Sequence, residues 1–182
     1  MVPDYQDIID FWFSERVRKN WWSKDEEFDQ EIRNRFAGIH RLASAGGLTA
    51  WRQSPRGRLA EIIVLDQFPR NMFRDHADAF ATDKLARQCT RDAVGAGADQ
   101  ALTPQQRAFL YMPLMHSESR ADHEEAVRLY SSHPELSYNL DFELKHKAII
   151  DRFGRYPHRN TVLGRTSTPE EIEFLQQPGS SF

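Results

Sequence analysis

Two segments of this chain end an apolar run in the same set of polar side chains. Residues 62–73 read IIVLDQFPRNMF and residues 148–160 read AIIDRFGRYPHRN. Each takes two isoleucines to an aspartate, then to an aromatic, a proline and an Arg-Asn pair. On a helix, Leu59, Ile62 and Ile63 precede Asp66 by seven, four and three residues, so the carboxylate shares their apolar stripe. A carboxylate turned toward a core must be paired, hydrogen-bonded or protonated, because an unpaired buried charge is costly. Arg70 and Arg58 are its near partners, with Arg159 added if the two segments meet. Its chemistry is then that of a buried ion pair, an anion-site organiser or a general base.

Arg70-Asn71 and Arg159-Asn160 follow the two apolar runs. Two guanidinium forks and two amides can grip a carboxylate or phosphate bidentately. They can equally bond the orphan carbonyls at their own helix ends. His158, between Pro157 and Arg159, is the histidine best placed for acid–base work beside such a pocket. A third cluster, YMPLMHSESRADHEE at 111–125, holds His116, Glu118, Asp122 and His123. Its spacing matches neither His-Glu-x-x-His nor Glu-x-x-His, so it reads as capping acids and helix-end histidines, with no metal expected. Ser117 has no Gly-x-Ser-x-Gly elbow, Cys89 lies on the apolar side of a helix, and no glycine-rich phosphate loop or other cofactor motif is present.

These residues need helices to position them, and helix punctuation is frequent. Pro3 falls in a first turn ahead of Ile8, Phe11 and Trp12. Ser23 and Glu26 have capping-box spacing before a stripe of Phe28, Ile32, Phe36, Ile39 and Leu42 that ends at Gly46-Gly47. Ser54-Pro55 opens a helix expected to stop at Phe68-Pro69. Thr82 opens the next, and Thr103-Pro104-Gln105-Gln106 gives a cap, a first-turn proline and a box glutamine. Pro113 is expected to kink its helix and free the carbonyl of Phe109. Asp122 and Glu125 suggest another box, Gly154 a stop, and Ser167-Thr168-Pro169 a final start. No segment alternates over strand length. The pattern is all-α, about seven or eight antiparallel helices in a single domain over residues 1–182.

Composition narrows the function classes. The 182 residues carry 24 basic and 27 acidic side chains, a net charge of −3. That balance supplies neither a field for nucleic acid nor a basic cluster for membrane lipid. A chain this long buries roughly 70% of its unfolded surface without staples. One cysteine permits no intrachain disulfide, the first residues lack a secretory signal pattern, and no long apolar run spans a membrane. The default location is cytoplasmic.

The segments DFWF at 10–13, PRGRLAEIIVLDQFPRN at 55–71, FATD at 80–83, RAFLYMPLMHSE at 107–118, RFGRYPHRN at 152–160 and GRTSTPEEIEFLQQPGSSF at 164–182 together resemble an uncharacterised family, domain of unknown function 924. The resemblance covers nearly the whole chain. It implies a tetratricopeptide-like (TPR-like) domain of right-handed stacked helix pairs, and brings no activity, substrate or catalytic residue. The strict 34-residue TPR pattern is not legible. Three readings stand. One is a binding protein whose polar pocket, built from Asp66, Arg70, Asn71, His116, Glu118, His158, Arg159 and Asn160, takes a small anion or a peptide carboxylate. The second is a small hydrolase or transferase with Asp66 or His158 as base. The third is an assembly protein with the clusters as helix staples and an apolar face for a homodimer. Missing nucleophile, metal and phosphate motifs weigh against the second.

Overall fold

A computed structural model describes residues 2–182, and among these the secondary structure is helical with no strand. Eight helices run seven residues or more. The chain begins with α1 (Tyr5–Trp12), capped by Asp4, and the short α2 (Glu15–Arg18). The long α3 (Glu26–Ser44) is capped by Asp25, whose carboxylate accepts from the Phe28 N–H at 3.1 Å, so the cap falls two residues beyond the expected Ser23. Ser54 caps α4 (Pro55–Ile62). A side chain at Gly57 in its first turn is excluded, because a Cβ there would stand 2.0 Å from the Trp51 carbonyl oxygen.

The expected stop at Pro69 does not occur. A π turn over Ile63–Gln67 joins α4 to α5 (Phe68–Met72), and the Phe68 N–H reaches back five residues to the Ile63 carbonyl. Proline normally breaks a helix by lacking an N–H and by clashing with the carbonyl four residues earlier. Here the widened turn lets that carbonyl, on Leu65, accept from the Thr82 hydroxyl at 2.7 Å instead. Thr82 is the N-cap of α6 (Asp83–Gly95), and its hydroxyl, spent on Leu65, makes no cap bond. The two helices are thereby tied end to bulge.

Beyond α6 come α7 (Pro104–Met115) and α8 (Arg120–Tyr130), then α9 (Ser137–Phe153) and α10 (Pro169–Leu175). Full capping boxes stand at Thr103/Gln106 and Thr168/Glu171, as their spacing predicts. The expected box at Asp122/Glu125 does not form: α8 starts earlier, with Ser119 as N-cap, and Asp122 pairs with Arg91 and Ser117. Pro113 lies inside α7, whose flanking carbonyls Ala108 and Leu110 receive the hydroxyls of Tyr130 and Thr90 at 2.8 and 2.7 Å. Gly154, at φ +72°, ends α9.

Helix α1 lies on α4 and α3 on α5, while α6 packs on α7, α7 on α8 and α8 on α9. The main core is aromatic: Phe36 stacks on Phe68 at 4.8 Å, and Trp12 meets Phe68 and Phe109 edge-on at 5.9 and 5.6 Å. A second, smaller cluster joins Ile149, Ile150, Tyr156 and Phe174. Polar residues of both echoing segments lie where these two cores approach each other. No helix among the described residues is long and apolar enough to cross a membrane.

Candidate functional site

Asp66 sits inside the π turn and is fully buried. Its Oδ1 is 2.8 Å from His116 Nδ1 and 3.4 Å from Arg70 Nη1, and its Oδ2 accepts from Gln67 Nε2 at 3.1 Å. Arg58 is not among its partners. Burial alone pushes the Asp66 pKa up, but His116, Arg70 and Arg159 together outweigh it and hold the carboxyl below its ordinary range. Arg70 contacts this carboxylate directly, while Arg159, from the other half of the chain, adds only the pull of its charge without a contact.

The two arginines do so differently. Arg70 is saturated. It donates to the Asp66 carbonyl at 2.8 Å and forks onto Asp83 at 2.8 and 3.0 Å, which keeps its charge fixed well above the usual range. Arg159 comes from the turn Pro157–Arg159 and is only 5% exposed. It gives one bond, Nη2 to the His116 carbonyl at 2.9 Å, while its buried Nε has no partner. No carboxylate among the described residues pairs with it, since the nearby Asp83 and Glu118 are already forked by Arg70 and Arg165. Its guanidinium lies 4.5 Å from the Phe80 ring centre and 4.7 Å from that of Tyr156, and Arg70 lies 5.5 Å from the same Phe80 ring. Burial, then the charge of Arg70, pulls the Arg159 pKa down to about 10.

His116, at the C-cap of α7, connects these groups. An ionised Asp66 only accepts, so His116 carries its proton on Nδ1. Burial and the Arg70 charge lower its pKa and keep the ring neutral. Nε2 then presents a lone pair; it has no hydrogen-bond partner among the described residues and is not one of the fully buried unpaired atoms. An aspartate behind a histidine whose Nε2 is unpaired has the geometry a general base needs, and a guanidinium without a carboxylate has the chemistry to hold an anion.

The remaining residues of the sequence-predicted set lie around this centre without joining it. Asn71 turns to Asp29, which Arg74 also forks. Asn160 bonds Ser167 and receives Arg165. Glu118 forks with Arg165 at 2.9 and 3.0 Å and accepts the Tyr156 N–H at 2.7 Å; burial raises its pKa, and these bonds more than reverse it. Its role is to fasten the 155–165 loop that carries Arg159. His158 buries Nδ1 without a partner, against the rings of Tyr156 and Phe182, and burial, then Arg159, lowers its pKa to about 4. His123 is turned away, to Glu143, Ser117 and Tyr156. No group of three or more His, Cys, Asp or Glu among the described residues is arranged to hold a metal. Cys89 donates to Glu61 at 3.0 Å, and burial pushes its thiol up to about 12.

Residues that sequence reasoning missed are Thr82, Asp83 and Arg165. The first two belong to FATD at 80–83, where the sequence marks Thr82 as a helix start but gives no signal for the bonds that Thr82 and Asp83 make to the first segment.

A family model described as bacterial protein of unknown function (DUF924) matches residues 8–179. A solved structure of a protein of unknown function from Agrobacterium tumefaciens is similar, with 39% sequence identity and a TM-score of 0.90, over 94% of this chain and 96% of that one. No curated protein matches.

Proposed function

This chain belongs to the DUF924 family, and from the site it carries we propose that it is an anion-binding helical protein whose ligand is gripped by Arg159 beside the Asp66–His116 pair. The observation that supports this most is a nearly buried guanidinium with no carboxylate partner and an unpaired Nε. Proteins seldom bury a cation without answering it. The reading includes a TPR-like stacking of helix pairs, supported by the consecutive packing of α6 to α9, and a cytoplasmic location, supported by a lone cysteine that has no disulfide partner. A small anion is favoured over a peptide as the class of ligand, because the His116 and Arg70 side chains are only 12% and 20% exposed.

A second reading, hydrolysis or group transfer, is favoured by one observation, the unpaired Nε2 of His116. In it the base is His116, not Asp66 or His158: Asp66 is sealed behind the imidazole, and His158 is lodged among aromatic rings.

Thermal-shift measurements with inorganic phosphate and small carboxylates test the anion reading. A ligand at about 100 times its Kd raises wild-type stability by roughly 2.7 kcal/mol. Arg159→Met is expected to abolish that gain while leaving unliganded stability unchanged or higher, because it removes an unanswered buried charge. If no anion stabilises the wild type, or if Arg159→Met costs several kcal/mol without ligand, Arg159 is a staple and the proposal fails.

A further inference from the structure

The binding reading leaves open which anions the site prefers, and the polarity of its two free groups narrows that choice. Arg159 offers only donors. His116 Nε2, with Nδ1–H committed to Asp66 at 2.8 Å, offers only a lone pair. Both belong to one contact, since Arg159 Nη2 donates to the backbone carbonyl of His116 at 2.9 Å, which places the guanidinium against the residue that carries the lone pair. We infer that the preferred ligand is an oxyanion carrying its own O–H donor, the hydrogen phosphate group, and that His116 is the residue that selects it. This rests on the anion-binding reading above.

The argument is one of matched donors and acceptors. A sulfate or carboxylate has only acceptor oxygens at neutral pH, so any oxygen brought to Nε2 sets lone pair against lone pair. The charge on Arg159 is still satisfied, but the imidazole loses water and gains nothing. Hydrogen phosphate places unprotonated oxygens on the guanidinium and its P–O–H on Nε2, which satisfies both. Sites built to hydrogen-bond a ligand hydrogen reject analogues that lack it far more strongly than apolar pockets reject a changed shape.

The tautomer is held from behind. Asp66 cannot turn away, being fixed by Arg70 and Gln67 within the π turn, and the turn is held by Thr82 on the Leu65 carbonyl. The charges facing His116 are Asp66 from the π turn, Arg70 from α5, Asp83 from α6 and Arg159 from the turn after α9. Burial and the neighbouring Arg70 disfavour a second proton on the ring, so Nε2 stays an acceptor at neutral pH. His116 therefore acts on a bound phosphate first as a recognition group, in the same geometry a proton acceptor needs.

Sulfate is the decisive probe, since it matches hydrogen phosphate in shape and charge but lacks the proton. Calorimetric titration of the full chain at pH 7 and matched ionic strength is expected to show phosphate binding at least about tenfold more tightly than sulfate. Nitrogen-15 NMR of the wild-type histidines is expected to move the His116 Nε2 resonance with phosphate and not with sulfate. His116→Asn keeps a donor near the Nδ1 position and removes Nε2, and is expected to bring the two affinities to within about twofold. Equal wild-type affinities, or an Nε2 resonance unmoved by phosphate, overturn this inference and leave the anion site standing. Binding of neither anion overturns both. The wild-type comparison decides the matter even if His116→Asn does not fold.

Discussion

The two echoing segments diverge in three dimensions. In the first, Asp66 is fully buried and Arg70 is saturated by Asp83 and a backbone carbonyl. In the second, Asp151 is exposed on α9, paired with Lys147 and Arg120, while Arg159 is buried without an acid of its own. The first run also continues through its proline by a π turn, whereas the second stops at Gly154 before Pro157. Each half lacks what the other supplies: the first brings the buried carboxylate, the second the unpaired cation, and His116 lies between them. Similar residue strings can therefore take complementary parts, because a helix stop and a helix bulge aim the following side chains differently.

The largest expected effect comes from removing the carboxylate on the first side. Asp66→Ala leaves the buried His116 Nδ1–H without an acceptor and takes from Arg70 one of its two carboxylates. Breaking a buried pair from one side costs about 3–5 kcal/mol, to be measured by denaturant unfolding. A loss below about 1 kcal/mol would mean that the buried charge is not what holds the two segments together.

Acid should separate the two regions by how far each loosens. Burial lowers the pKa of His146 to about 3 and that of His158 to about 4, both in or beside the second segment. Between the unfolded value near 6.5 and these folded values, the unfolded chain binds protons that the folded chain refuses, so stability falls as pH falls. At pH 5 the cost is on the order of 2 kcal/mol for each histidine. Asp66 loses stability in the same direction but in a lower window: its folded pKa lies below the ordinary carboxylate range, so its stabilisation is lost only as pH drops through that folded value. His116, held on the π turn by Asp66, also has a lowered pKa, but the second segment carries two such histidines against that one. Hydrogen exchange should thus report the greater loosening at residues 146–160 as pH drops from 7 to 5. Equal loosening of both, or a Tm flat over that range, would contradict the assignment.

How much of this could be read from the sequence depended on how local the cause was. The inward aspartate follows from Leu59, Ile62 and Ile63 on one stripe, and the boxes at Thr103 and Thr168 from spacing within one turn. Pro69 was illegible as a continuing residue because its tolerance depends on Thr82, thirteen positions later in the chain, taking the freed carbonyl. Asn71 and Asn160 carry the right chemistry, but their partners, Asp29 and the Ser167–Arg165 pair, are fixed by packing and turn them off the site. Which arginine is satisfied was equally hidden. It depends on Asp83, at the first turn of α6, and on Arg165, in the loop before α10, and such contacts appear only when the helices are assembled.

The smallest expected effect is the sharpest check on the asymmetry. Asp151 occupies the position that corresponds to Asp66 in the echo, yet its partners Lys147 and Arg120, at 2.8 and 3.0 Å, share an exposed face. Solvent screens such pairs, and the entropy of holding long side chains offsets much of their attraction. Asp151→Ala is therefore expected to leave Tm unchanged at physiological salt and to leave phosphate affinity as in the wild type. Lys147 and Arg120 already reach water, so neither is left as a buried charge when the carboxylate goes. A destabilisation approaching that of Asp66→Ala would mean that Asp151 turns inward in solution and that the two segments are paired staples after all. Changed phosphate affinity with unchanged Tm would instead place Asp151 in the electrostatic surroundings of Arg159, where the present geometry gives it no part.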